Sequence, residues 1–402
     1  MLLQQRVLPL LRTLLSADGS VWGKSADKSS FSSPTALTAT RDISDEHAGE
    51  FIFRLWNGQG AEERLPILDL LARLSDPEPA SEEMDDLTAV IAPLVDRPNT
   101  APRPSWKAQE LADGTQATAA VLSLRAAAVD LHGYEQALRP NPIASLQRIV
   151  LLGSLSLFRH AATRQCEASG APPPILLVDA SGKRSSSIAA ASQALVTRLM
   201  EQAQAYIRSL TVDMLGGLGQ DRASLAERLV EILGVRSEEA SVALDGLIEE
   251  VSGDAASDAG DFAEAIAGRL VEEVDSEGGR NLDGFLRLLG IRCGLLYPIQ
   301  KVPHKRVVPT DRTLEVLVAS SFDCSGPPLE YRHFLDMLHE RWGLIVGGRL
   351  EDGRLLERRH RLTASDLKDN SERFLDRLVN LGLAQRLADS VAIVGRVESN
   401  HG

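Results

Sequence analysis

The sequence predicts a mostly helical α+β protein built from several domains. Ala and Leu dominate while aromatic residues make up only 4%. Apolar residues recur at helical spacing through most of the chain, and only a few short runs have strand composition. A length of 402 residues is too great for one compact core and implies two or three domains. The expected division is a mixed α/β N-terminal domain over 1–105, then a helical middle domain over 106–297 with one buried strand near 175–179. A basic, Pro-rich linker over 298–310 and a C-terminal domain over 311–398 complete it.

In chain order, residues 3–16 have the spacing of an amphipathic helix. Ser20 to Arg41 is polar, and Phe51-Ile-Phe-Arg-Leu-Trp56 has strand composition. Glu62 to Leu74 returns to helical spacing, and a short helix is expected at Asp86–Leu94. Pro98 to Pro104 breaks the pattern. Residues 117–131 are helical in character, and Pro140-Asn-Pro142 opens a long helix that runs to Ala168. Ala171-Pro-Pro-Pro174 ends it. Ile175-Leu-Leu-Val-Asp179 is a buried strand, followed by a small polar loop and a helix to Leu215. Helices are expected over 222–234, 238–251, 258–275 and 281–293. Pro298, Pro303 and Pro309 forbid a helix between Tyr297 and the C-terminal domain.

Charge narrows the function classes. The net charge of −13 argues against coating nucleic acid by bulk attraction. Between Ser237 and Gly279 Arg269 is the only base among many carboxylates, so the acidity belongs to the middle of the chain. Such runs are usually solvated faces. Cys166, Cys293 and Cys324 are widely spaced, which fits a reducing cytoplasm and offers neither a disulfide framework nor a zinc site. The first residues lack the layout of a signal peptide, and the longest nearly apolar run, Ile149 to Phe158, is half a membrane span. A cytoplasmic protein with no membrane contact is expected. The eight histidines show no HExxH or other metal-ligand spacing, so neither metal nor cofactor is implied.

The C-terminal stretch has the clearest plan. Thr313 to Phe322 is a short apolar helix, and Phe334, Leu335, Leu338 and Trp342 mark a second. Thr363-Ala-Ser-Asp366 is a helix start of the capping kind. Leu367, Phe374, Leu378 and Leu381 follow on one face, and Gly382 stops the helix. Leu383-Ala-Gln-Arg-Leu387 and Val391-Ala-Ile-Val394 then flank Ala388-Asp389-Ser390 as a hairpin would. Three helices and a hairpin in this order resemble the winged-helix variant of the helix-turn-helix superfamily. The resemblance implies a third helix in the major groove of duplex DNA and a wing on the flanking backbone.

On that basis the candidate DNA contacts are Arg349, Arg354, the basic loop with Arg358, Arg359 and Arg361, and Lys368, Asn370, Arg373 and Arg377 on the third helix. Lys301, Lys305 and Arg306 in the linker add charge that suits phosphates. The same helix carries Asp369, Glu372 and Asp376 at i, i+3 and i+7, which would face the groove. Those carboxylates suit a protein partner instead. A second candidate is the loop after the buried strand, where Ser181, Gly182, Lys183 and Arg184 precede a helix start and could hold an anion. Its spacing departs from the P-loop, and a strand-to-helix turn with a Ser N-cap and two solvated bases is the better explanation. No nucleophile motif such as GxSxG occurs.

The expected function is a non-enzymatic, DNA-associated or adaptor subunit of a bacterial multi-protein nucleic-acid machine, such as a restriction or phage-defence complex, by analogy with accessory proteins that end in a winged helix. Its partners would be duplex DNA, protein subunits, or both. Two alternatives come from other classes. One is a transcriptional regulator whose middle domain senses a ligand or dimerises. The other is an enzyme that binds nucleotide or phosphate through the Asp179–Lys183 loop.

Overall fold

A computed structural model describes residues 48–58, 63–74, 118–138, 142–168, 170–183, 185–216, 265, 268, 282–300, 302, 304–322, 327–360, 362–387 and 391–395. Among them are ten helices and seven short strands, an α-rich α+β arrangement. The expected segments at 3–16, 20–41, 86–94, 98–104 and 222–257 lie outside the described residues, and so does the acidic run apart from Ala265 and Gly268. The chain divides into two compact units, Met1–Ala161 with Ile175–Leu195 and Gly290–Gly402, and Ala162–Pro174 with Val196–Leu289.

In the first unit, α1 (Ala48–Asn57) occupies the segment expected as a strand. Ile52, Leu55 and Trp56 are all buried at i, i+3 and i+4, so the helical period overrides the strand composition of Phe51–Trp56. Helix α2 (Pro66–Leu74) begins on a proline, whose missing N–H costs nothing at that position. Ile67, Leu68 and Leu71 are its core face. Helix α3 (Ala119–Leu138) buries Leu124, Ala128 and Leu131. Arg125 on α3 donates to the carbonyls of Leu55 and Glu63, tying α3 to α1 and to the segment before α2.

Helix α4 spans Pro142–Ala168, and its expected start at Pro142 is the observed one. Near that start Arg148 donates to both oxygens of the buried Glu135, and its Nη1 lies 2.8 Å from Glu315. Ser145 also donates to Glu135, at 2.7 Å. Burial works against the Arg148 charge, but the Glu135 bond and charge outweigh it and hold the guanidinium above its ordinary pKa.

Strand β1 (Leu176–Leu177) is the expected buried strand and leads through a loop into α5 (Ser187–Gly216). Within the second unit, Val196, Leu199 and Ala203 of α5 are buried at helical spacing. Helix α6 (Leu282–Arg292) covers the last of the expected middle helices. It is followed by β2 (Leu296–Tyr297) and β3 (Arg306–Val307), which pair antiparallel. The described residues between Pro298 and Thr310 are free of helix, and they are more than a spacer. Val307 bridges Val178 in parallel. Lys305 is 1% exposed and donates to the carbonyls of Pro298 and Gln300. Those bonds answer a buried ammonium that would otherwise be very costly.

Helix α7 (Asp311–Ala319) is capped by Thr310, whose side chain accepts from the Thr313 amide. Strand β4 (Leu329–Glu330) then leads into α8 (Tyr331–Trp342), which ends at Gly343 with φ 65°. Strand β5 (Leu344–Ile345) runs parallel to β1, with Leu176 opposite Leu344. Helix α9 (Leu350–His360) was not anticipated. Arg358 and Arg359, expected in a loop, belong to it, and Arg361 lies outside the described residues. Its sequence is strongly polar and carries Gly353, so no apolar stripe announces it.

Helix α10 (Ala364–Asn380) starts with the expected capping box, Thr363 and Asp366 exchanging side-chain and backbone bonds. Leu367, Phe374 and Leu378 are buried as expected. Leu381 is instead the exposed C-cap residue, because Gly382 at φ +70° turns the chain there. The hairpin is present as β6 (Ala384–Arg386) and β7 (Ala392–Val394), and β4 adds to its other side, giving the order β4-β7-β6.

Candidate functional site

The two sides of α10 carry polar residues of opposite fate. Asn370 is 1% exposed. Its Nδ2 donates to the carbonyls of Val178 at 2.8 Å and Val346 at 2.7 Å, and its Oδ1 accepts from the Ala180 amide at 2.9 Å. These groups lie just past the carboxyl ends of the parallel strands β1 and β5, the place where open α/β sheets usually bind ligands. Here the chain's own side chain fills it. Arg373 donates to the Ser181 carbonyl at 3.2 Å, and Arg377 holds Asp311 at 2.6 Å. Three of the four α10 side chains expected to contact DNA, Asn370, Arg373 and Arg377, therefore have partners inside the chain.

The outer face is different. Asp369, Glu372 and Asp376 are exposed, as is Lys368. Arg386 on β6 places Nη2 2.7 Å from Asp376 and 3.0 Å from Glu372, and bonds to these two hold its guanidinium above the ordinary range. Sequence reasoning missed this arginine, although its position in the hairpin was the available signal. Of the other candidate bases, Arg354 is exposed. Arg349 is largely buried, with Nε 2.9 Å from Asp336.

The loop after β1 is closed on itself. Asp179 is 3% exposed and paired with Arg306. The Ser181 amide donates to Asp179 at 2.9 Å, and the Lys183 amide donates to Ser181 Oγ at 3.3 Å. The Ala180 amide is taken by Asn370. Three loop amides that an anion would need are thus answered from within. Ser186 caps α5 by accepting from the Ala189 amide at 3.0 Å. Gly182, at φ +68°, and Lys183 are exposed, and Arg184 lies outside the described residues.

Burial perturbs the acidity of four further groups. Burial pushes the Cys293 thiol up to about 12 and raises Tyr331, whose hydroxyl donates to the Ser371 carbonyl. Burial, with the charges of Arg349 and Arg159, lowers His339. Burial also pushes the Asp352 carboxyl up to about 6. None of the four sits beside a nucleophile–base pair among the described residues. No group of three or more His, Cys, Asp or Glu there could hold a metal, and no described helix is long and apolar enough to cross a membrane.

Compared with known protein families, with characterised proteins and with solved structures, the chain matches none.

Proposed function

We propose that this chain is a non-enzymatic adaptor or DNA-associated subunit of a multi-protein nucleic-acid machine, and that its C-terminal region is a winged helix that docks protein rather than reading base edges. Element order supports the winged-helix part. Helices α7 and α8 flank β4, and α10 leads into the β6–β7 hairpin, whose sheet has the order β4-β7-β6. Strand β5 and α9 stand between the second and third helices of that plan.

One observation carries the docking reading. Asn370, Arg373 and Arg377 have partners inside the chain, although Arg373 is also exposed, while Asp369, Glu372 and Asp376 look outward, the last two paired with Arg386. A carboxylate face is repelled by a phosphate backbone and suits a basic protein surface. Contact with DNA then falls to the bases around α9, Arg354, Arg358, Arg359 and Arg361, with Lys368 beside them in sequence. Such contact positions the protein without reading sequence.

Fluorescence anisotropy of the full chain with labelled duplexes of different sequence, titrated in salt, tests this. The expected result is weak, sequence-independent binding whose salt slope flattens when Arg358, Arg359 and Arg361 are replaced by Ala. Charge reversal by Asp369→Lys, Glu372→Lys and Asp376→Lys should leave that DNA binding intact while removing captured protein partners. Sequence-selective binding abolished by Arg373→Ala would overturn the docking reading.

A further inference from the structure

Helix α3 is apolar on its exposed side as well as on its buried one. Leu124, Ala128 and Leu131 face the core, yet Leu122 is 55% and Val129 44% exposed. The outer side runs Ala119, Leu122, Ala126, Val129, Gly133 and Gln136, in steps of three and four, and none of the six is buried. Small residues recur every seventh position at 119, 126 and 133, and larger ones every seventh at 122, 129 and 136. That is the spacing of a seam between paired helices, not of a lone surface helix. Gly133 weakens the helix relative to Ala but lets a second backbone come close. The three charged residues of α3 are all engaged within the fold. Arg125 donates to the Leu55 and Glu63 carbonyls, Asp130 accepts from Arg341, and Glu135 accepts from Arg148 and Ser145. In a chain of net charge −13, this face therefore offers a contact free of carboxylates.

We propose that the outer face of α3 pairs with the same face of a second copy of the chain, the two helices antiparallel about a two-fold axis at Ala126. The stripe is symmetric about that residue. An antiparallel copy sets Ala119 against Gly133 and Ala126 against itself, with Leu122 beside Val129 of the other copy. Small residues at the crossing bring the axes to about 8 Å, the lower end of the usual range. A nucleic acid or a basic protein finds no charge here to recognise, whereas a copy of the same uncharged face meets no like charge. A helix of this length is about 30 Å long and about 10 Å across, so the face covers on the order of 300 Å2, against about 800 Å2 per partner in a standard interface. The dimer is therefore weak and forms reversibly with concentration. It uses no residue of the α10 docking face and does not rest on that reading.

Sedimentation velocity of the full chain between about 2 μM and about 200 μM should show a monomer–dimer equilibrium of this weak class. Added salt should strengthen it, because the contact is uncharged and salt screens the repulsion between two acidic chains. Val129→Arg should raise the dissociation constant about tenfold or more, since each dimer would then cover two guanidinium groups without partners. Register is read by cross-linking in a Cys324→Ser background. Ala126→Cys should form a disulfide dimer on mild oxidation, because the two copies of that residue meet at the axis. Ala119→Cys should not, its two copies standing about 21 Å apart along the helices. A monomer at every concentration, a dimer that salt dissolves, or one that Val129→Arg leaves intact would overturn the proposal. So would cross-linking that is absent at position 126 or equal at the two positions, and this pair of variants decides should Val129→Arg fail to fold.

Discussion

Asp352 and Asp366 hold the same local position at the starts of consecutive helices and titrate in opposite directions. Each accepts the backbone N–H of the residue three before it, Arg349 at 3.2 Å and Thr363 at 3.0 Å. Asp366 also accepts the Thr363 hydroxyl at 2.8 Å and is only half-buried, so those bonds lower its pKa. Asp352 is fully buried, and burial raises its pKa to about 6 against the backbone bonds and the Arg349 charge that lower it. The backbone bond is the same, but Thr363 returns it from its hydroxyl and Arg349 has no acceptor to do so, and the surroundings differ. Asp369 and Asn370 repeat the lesson one residue apart, the first exposed and the second locked to two strands. In this molecule burial, not residue type or helix position, decides whether a polar group serves the fold or remains available.

The largest effect should come from the buried side. Asn370→Ala leaves the carbonyls of Val178 and Val346 and the Ala180 amide without the partner that now serves them. At about 1–3 kcal/mol for each stranded group, partly relieved by relaxation, the variant should lose about 3–5 kcal/mol in urea unfolding. Asp369→Ala, its exposed neighbour, should change stability by about 0.5 kcal/mol or less. Equal effects at the two positions would break the comparison. Glu135→Ala removes the buried partner of the Arg148 guanidinium, leaving it Glu315 alone, and belongs to the same class, at about 3–5 kcal/mol.

The two capping aspartates give an intermediate effect with a defined sign. The lowered Asp366 contributes stability that is present above the ordinary carboxylate pKa and is lost as pH falls through its depressed value. The raised Asp352 behaves oppositely, and its contribution falls as pH rises toward about 6. Thermal unfolding followed across the acid range should therefore change slope in Asp366→Asn and Asp352→Asn in opposite directions. Thr363→Ala should cost about 1 kcal/mol, the usual worth of a cap, and should reduce the Asp366 dependence with it.

What could be read from the sequence was local. The capping box at Thr363 and Asp366, the stop at Gly382 and the hairpin pairing of Ala384 with Val394 each depend on residues a few positions apart. The misreadings have equally definite causes. Phe51 to Trp56 has strand composition, yet the spacing of Ile52, Leu55 and Trp56 governs it. Helix α9 hides behind a polar sequence with a central glycine. The candidate site was least legible, because Asn370 finds partners 190 and 192 residues away and Arg148 reaches Glu315 across 167. Nothing near Asn370 in sequence separates it from an exposed base-reading asparagine.

The smallest effect sharpens the comparison from the exposed side. Arg386 joins Glu372 and Asp376 at the surface, and all three side chains are substantially solvated. Exposed pairs of this kind contribute about 0–1 kcal/mol, since solvent and salt screen the attraction and two long side chains lose freedom. Arg386→Ala should therefore leave urea unfolding within about 0.5 kcal/mol of the wild-type chain. It should still matter for docking, because it removes a charge that pairs two carboxylates on the outer face of α10 and leaves Glu372 and Asp376 open to a basic partner. Stronger capture of basic protein partners by Arg386→Ala, at unchanged stability, is the expected pair of results. A loss of several kcal/mol would mean that the outer face is as much a part of the fold as the inner one, and the contrast drawn from Asp369 and Asn370 would fail.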